Sequence, residues 1–281
     1  MRRVTSRMTR VGATVLAVLT AVGACAGGPS QEPRSTSGQF EDGGPIVVPE
    51  EWTVEVLDVS PHDPEAFTQG LEVVDGTLYE GTGLVGESTV RKGPVGGEPT
   101  VTVSLPEPLF GEGITVVGSR LWQLTWRSGV AVERDVDTLE ERRRVRYDGE
   151  GWGLCHQEGP DRLVMSDGTA TLTFRDPDDF SVLGTVEVTD SGNPVAELNE
   201  LECVGDTVYA NVWHTDHILR IDPATGAVTA RIDASGLLTP QEAAEADVLN
   251  GIAALDEPDH FLVTGKLWPK MFTVRFVPTG R

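Results

Sequence analysis

Cationic residues are scarce. The 281-residue chain carries 22 Lys and Arg against 44 Asp and Glu, a formal net charge of −22 at pH 7. Such a surface repels phosphate backbones and anionic lipid headgroups, which excludes general nucleic-acid and membrane-surface binding. It suits solubility and tolerates cationic partners. Cysteine is scarce too, and three residues exclude a disulfide-dense miniprotein and a four-Cys zinc site. Helix signals are nearly absent. Only TPQEAAEADV (239–248) reads as a short helix, with Thr239 as N-cap and Pro240 at the first position. No G-x-S-x-G elbow or phosphate loop occurs, so nothing marks an α/β-hydrolase or a P-loop nucleotide-binding enzyme. His214 and His217 form a loose pair without further ligands at metal spacing, and His62 in SPHDPEAFTQG reads as part of a proline-rich turn. The one extended apolar run, 11–22, is too short to span a bilayer comfortably.

That run belongs to an address. Arg2, Arg3, Arg7 and Arg10 precede it, and Val22-Gly23-Ala24-Cys25 closes it. A basic start, a short apolar core and small residues before a cut make a secretory signal. A Cys directly after the small residues resembles the bacterial lipoprotein box, in which that Cys is lipidated and becomes the mature N-terminus. Ordinary secretion with an incidental Cys is the alternative. Residues 26–45 are rich in Gly, Ser and Pro and read as a flexible tether. The expected organisation is a signal over 1–25 ending at Cys25, a tether over 26–45, and a folded domain over 46–281. The expected location is the outer face of a bacterial cell membrane, held by lipid, or the medium.

The folded part repeats. QGLEVVDGTLYEGTG from Gln69, EGITVVGSRLWQLTW from Glu112, WGLCHQEGPDRLVMSDG from Trp152, NELECVGDTVYANVW from Asn199 and NGIAALDEPDHFLVTGK from Asn250 share one layout. Each opens on a polar or aromatic residue, passes through a Gly/Asp turn and ends in a β-rich run. That is a hairpin. A second hairpin follows in several repeats, as in ILRIDPATGAVTARIDA. Two hairpins make a four-stranded unit that cannot bury its faces alone, so copies must stack. The expected fold is all-β, a five-bladed β-propeller. A β-sandwich of similar strand count is the competing arrangement, and the five-fold recurrence argues against it.

Repeats let one sequence serve as its own comparison. The opening positions Gln69, Glu112, Trp152, Asn199 and Asn250 are expected round one mouth of the central channel. A second set follows 14 to 16 residues on: Gly83, Trp126, Gly168, Trp213 and Lys266. Structural needs alone would favour similar small residues at equivalent places. Their diversity points to a pocket with aromatic walls, one carboxylate, several amides and one ammonium, fit for a small polar ligand with an apolar stem. Cys155 and Cys203 fall in first strands of neighbouring blades. They form either a disulfide bridge, which export favours, or two buried free thiols.

The ordered motifs PHDPEAFTQGL, LYEGTGLVGES, LFGEGIT, LWQLTWRSG, GEGWGL, MSDGTATLTF, LNELE, YANVW, LNGIA and VTGKLWPK carry a resemblance over about Glu51 to Val277. The chain resembles the glutaminyl-peptide cyclotransferases of the plant and bacterial type, also called glutamine cyclotransferases. The resemblance implies a five-bladed propeller that converts N-terminal glutaminyl residues of peptides or proteins to pyroglutamate, with release of ammonia. It implies pocket positions at Phe67, Gln69, Glu112, Trp126, Trp152, Asn199, Trp213 and Lys266. Glu112, Asn199 and Lys266 then carry the chemistry, with proton transfer assigned to Glu112. Phe67, Gln69 and the three Trp hold the substrate. Members of this family differ from the animal-type, zinc-dependent enzymes, so no catalytic metal or cofactor is expected, while the channel leaves room for a structural cation. The implied protein is a monomer that meets peptides, not nucleic acid, and meets the membrane only through its lipid. Two other functions compete: a propeller that binds peptide N-termini without turnover, and a metal-dependent hydrolase or lactonase. Glu112 argues against the first, and the single carboxylate of the two mouth sets against the second.

Overall fold

The computed structural model describes residues 46–280. The signal, Cys25 and the tether lie outside the described residues.

Glu50–Pro61 (β1) opens the described chain. Four strands then form the first sheet: Thr68–Val74 (β2), Thr77–Thr82 (β3), Thr89–Pro94 (β4) and Val101–Ser104 (β5). Gly111–Val117 (β6), Arg120–Thr125 (β7), Val130–Asp135 (β8) and Glu141–Arg146 (β9) form the second. The third holds Leu154–Gln157 (β10), Arg162–Met165 (β11), Thr171–Arg175 (β12) and Val182–Glu187 (β13). A small ribbon follows, Thr189–Asp190 (β14) with Asn193–Pro194 (β15). Leu198–Val204 (β16), Thr207–Val212 (β17), His217–Ile221 (β18) and Val228–Asp233 (β19) make a fourth antiparallel group. The last strands are Leu249–Ala254 (β20), His260–Gly265 (β21) and Lys270–Pro278 (β22).

Within each group, sequence neighbours pair antiparallel through tight turns. Asp75 and Gly76, both at positive φ (49° and 72°), make the two-residue turn between β2 and β3, a geometry that matches the twist of the strands. The last group is completed from the chain's start. β1 pairs antiparallel with β22 as its outermost strand, and its residues Glu50–Thr53 also run parallel beside β19. The fourth and fifth groups thereby become one eight-stranded sheet, where five separate sheets were expected.

The first strands β2, β6, β10, β16 and β20 touch one another in a cycle that returns from β20 to β2. The apolar core is divided in the same way, into five clusters each filled from two neighbouring groups. One packs Ile114 and Leu121 against Tyr79 and Val90; another packs Leu71 and Leu78 against Ala253, Leu262 and Met271. Each face is thus buried by its neighbour, as stacking units require. The expected helix is shorter than the sequence pattern, Pro240–Ala243 (α1). Thr239 caps it, and Glu242 closes a capping box.

Candidate active site

Four of the first strands share an irregularity at their start. The pairing register slips between Thr68 and Gly70, Gly111 and Ile114, Leu198 and Leu201, and Leu249 and Ile252. Such a bulge gives one strand an extra residue and re-aims a side chain out of the pleat. The displaced residues include Gln69, Glu112, Asn199 and Asn250. Trp152 occupies the corresponding place just ahead of β10, where its N–H donates to the Ser166 carbonyl (3.0 Å) and the Ser166 N–H donates to the Gly153 carbonyl (3.1 Å).

The bulges open onto a cavity of about 260 Å³. Gln69, Glu112, Trp152 and Asn199 line it from the first strands. Trp126 and Trp213, each just past a second strand, and Lys266, just past β21, line it as well, together with Phe67. All eight pocket positions read from the sequence therefore come together. Asn250 does not: it is buried beneath, and its amide donates to the Thr68 carbonyl (3.0 Å) and to Gln69 Oε1 (3.5 Å). Its task is to hold Gln69. The glycines of the second set have a steric reason. A Cβ at Gly83 would stand 2.6 Å from the Phe110 ring, and one at Gly168 would stand 2.6 Å from the Trp152 ring.

Phe110, His214 and Asp247 also line the cavity; of these the sequence marked only His214, as half of the loose pair with His217. Phe110 stands in the quoted motif LFGEGIT, two residues before Glu112, and its ring fills the space beside Gly83. His214 follows Trp213 at φ 62°, with its ring 3.9 Å from the indole. No pattern marked Asp247. The aromatic lining falls into two sets. Phe67 meets Phe110 edge-on (6.3 Å), and Phe110 meets Trp126 (5.5 Å); Trp152 meets Trp213 edge-on (5.4 Å).

Four polar residues of the lining, Gln69, Glu112, Asn199 and Lys266, are buried, whereas His214 and Asp247 are exposed. Glu112 is 5% exposed, and Gln69 Nε2 donates to its Oε1 at 3.3 Å. Burial pushes the Glu112 carboxyl well above the usual carboxylate range; the Lys266 charge pulls it back only in part, and Glu150 adds to the rise. The carboxyl therefore holds its proton more tightly than an exposed Glu does. Lys266 is held below its ordinary range by burial, against the pull of Glu112 and Asp247, and its Nζ lies 4.9 Å from the centroid of Phe67. Asn199 Oδ1 is buried without a hydrogen-bond partner among the described residues. Buried polar atoms are nearly always satisfied, so this oxygen is open to a donor from water or from a bound molecule.

His62 lies elsewhere. Its ring is buried, with Nε2 3.0 Å from Glu80 Oε1 and Nδ1 2.7 Å from the Trp268 carbonyl. Glu80 accepts also from Thr68 Oγ1 (2.7 Å) and Arg91 Nε (2.9 Å). Burial opposes its charge, but His62, Arg91 and Thr68 outweigh that and bring its carboxyl down to about 2. The network borders a cleft of about 820 Å³ that is separate from the aromatic cavity. Its charged groups answer one another, so the role is structural. Cys155 and Cys203 are bonded to each other and tie β10 to β16. Among the described residues, no group of three or more His, Cys, Asp or Glu is arranged to hold a metal ion.

Comparison with known proteins gives the cavity a context. Residues 21–276 match a family profile described as glutamine cyclotransferase. A glutaminyl-peptide cyclotransferase of Arabidopsis thaliana is 39% identical over 228 residues, which span 79% of this chain and 71% of the relative. The crystal structure of Myxococcus xanthus glutaminyl cyclase superposes with a TM-score of 0.74 at 40% identity, covering 83% of this chain and all of that one.

Proposed function

The chain belongs to the glutamine cyclotransferase family, and we propose that its aromatic cavity is where an N-terminal glutaminyl residue folds back on itself and closes to pyroglutamate. The activity is that of a glutaminyl-peptide cyclotransferase, an acyl transfer within one molecule. The α-amine attacks the γ-carboxamide carbon, a carbon–nitrogen bond forms, the bond to the amide nitrogen breaks, and ammonia leaves. The attacking nitrogen loses a proton and the departing nitrogen gains one.

The observation that carries this division of labour is Glu112, a buried carboxyl set in an aromatic cavity with one amide donor beside it. A binding module has no use for so costly a group. We assign the proton relay to it: one carboxyl accepts the amine proton and delivers one to the leaving nitrogen. The unpartnered Asn199 Oδ1 accepts from the substrate's amine or amide N–H groups. Lys266 Nζ and the Gln69 amide donate to the carboxamide oxygen as it gains charge. Phe67, Trp126, Trp152 and Trp213 pack on the aliphatic stem, hold it folded and exclude water. No covalent intermediate is required. Incubation with a Gln-initiated peptide in the presence of chelator tests the reading. Loss of one ammonia from the peptide, read by mass spectrometry, is the expected result; an unchanged peptide sinks it.

The same reading extends to the frame. The cycle of first strands and the five shared cores support five blades in a closed ring, with β1 sealing the last blade. Residues 1–45 support export and attachment through a lipid on Cys25, and the cavity's size supports small peptide N-termini as partners of a monomer.

A further inference from the structure

We propose that Glu150 is a positioning residue that locks two substrate-gripping indoles, Trp126 and Trp152, into one arrangement. Glu150 does not line the cavity itself. Its Oε2 accepts from Trp126 Nε1 at 2.7 Å and from Trp152 Nε1 at 3.1 Å. Its Oε1 accepts from Arg127 Nε at 2.8 Å, and the Arg127 guanidinium lies 3.8 Å from the centroid of the Trp126 ring. The indole N–H only donates, so two indoles turned toward one point need an oxygen with two free lone pairs. A carboxylate supplies it, and its charge strengthens both bonds.

The arrangement matters because of where the two rings stand. Trp126 follows β7 of the second sheet and belongs to the ring set of Phe67 and Phe110; Trp152 precedes β10 of the third and belongs to the set of Trp213 and His214. Among the described residues these two sets share no ring-to-ring contact. The Glu150 carboxylate bridges them. The backbone assists: the Gly151 N–H donates to the Trp126 carbonyl at 3.0 Å, which brings the Glu150 loop beside Trp126. Partial burial opposes ionisation of Glu150, but hydrogen bonds from Trp152, Arg127 and Trp126 outweigh it and hold the carboxyl below its usual range. The anchor is thus charged at neutral pH.

What the indoles grip rests on the cyclotransferase reading above; the lock itself does not. The test compares the full chain with Glu150→Ala and Glu150→Gln in steady-state turnover of a Gln-initiated peptide and in near-ultraviolet circular dichroism without substrate. Glu150→Ala is expected to raise KM about tenfold, the effect of losing one charge-assisted anchor, with kcat within about threefold of the parent. Its indole dichroism changes. Glu150→Gln keeps an oxygen with two lone pairs and is expected to restore KM to within about threefold and to restore the indole bands. Should Glu150→Ala not fold, Glu150→Asp carries the same expectation, because its carboxylate falls short of both indoles. Parental KM and dichroism in Glu150→Ala, or a Glu150→Gln as impaired as Glu150→Ala, overturns the lock. A parent protein that leaves the peptide intact defeats the cyclotransferase reading instead, and the dichroism arm still decides the lock.

Discussion

The side-chain amide of Gln69 donates to the carboxyl of Glu112 across 3.3 Å, from a bulge in the first sheet to a bulge in the second. Asn250 holds the other end of that amide. The buried acid is therefore oriented by a chain of amides and not by a charge. Gln69→Leu removes its hydrogen-bond donor and leaves the carboxyl free to turn. A fall in kcat of about tenfold is expected, with folding retained. Steady-state kinetics beside a thermal melt checks both halves.

Asn199 offers an oxygen that nothing among the described residues satisfies. Replacing it costs no internal hydrogen bond at that atom. Asn199→Leu is expected to raise KM about tenfold while leaving the melting temperature at or above that of the parent. A lower melting temperature with parental KM would show that the oxygen serves the fold.

Stability should fall as the medium turns alkaline. Glu200 is fully buried, and its two oxygens accept from the Ile252 N–H (2.8 Å) and the Leu71 N–H (3.3 Å). Burial first, then the neighbouring Glu202 and Glu72, push its carboxyl well above the ordinary 4.5. A group raised in the folded state binds a proton that the unfolded chain releases. Its contribution is complete below about pH 4.5 and is lost as pH rises through the folded value. Glu80, held at about 2, works in the opposite sense: its contribution is complete above about pH 4.5 and is lost as pH falls toward 2. The melting temperature is therefore expected to peak in mildly acid buffer and decline toward pH 9. Glu200→Gln should flatten the alkaline decline; an unchanged slope would show that other groups control it.

The bond between Cys155 and Cys203 closes a loop across a sequence separation of 48. Cys155→Ala with Cys203→Ala is expected to lower stability by about 4 kcal/mol, the chain-entropy value for a loop of that size. Chemical denaturation of oxidised parent and double variant measures it. Equal midpoints would mean that the bond adds nothing to stability.

The repeat made most of the site legible, because equivalent positions in stacked units reach equivalent places. That is how Gln69, Glu112, Trp152, Asn199, Trp126, Trp213 and Lys266 were brought to one location from spacing alone. Asn250 obeyed the same spacing and missed the cavity, because its bulge turns the amide toward Thr68 and Gln69 instead. Bulges leave no trace in a two-residue alternation, so the sequence pattern did not distinguish these outcomes. Phe110 and Glu150 escaped for a related reason. They lie in the loops between strands, where periodicity stops, and their partners come from other parts of the chain. The joined eight-stranded sheet was hidden because β1 is separated from its partner β22 by the whole chain. The helix was marked correctly at its cap, where the chemistry is local, and overextended at its end, where the pattern AEADV continues without a turn to hold it.

The assignment of the proton relay to Glu112 is read most directly from turnover of one Gln-initiated peptide by the parent and by Glu112→Gln. An isosteric amide keeps the cavity's shape and takes up neither proton at a useful rate. In Glu112→Gln, kcat is expected to fall by about 10² to 10⁴ while KM shifts little and the circular dichroism spectrum is unchanged. A Glu112→Gln protein that turns over at the parental rate contradicts the assignment and places the relay on another group.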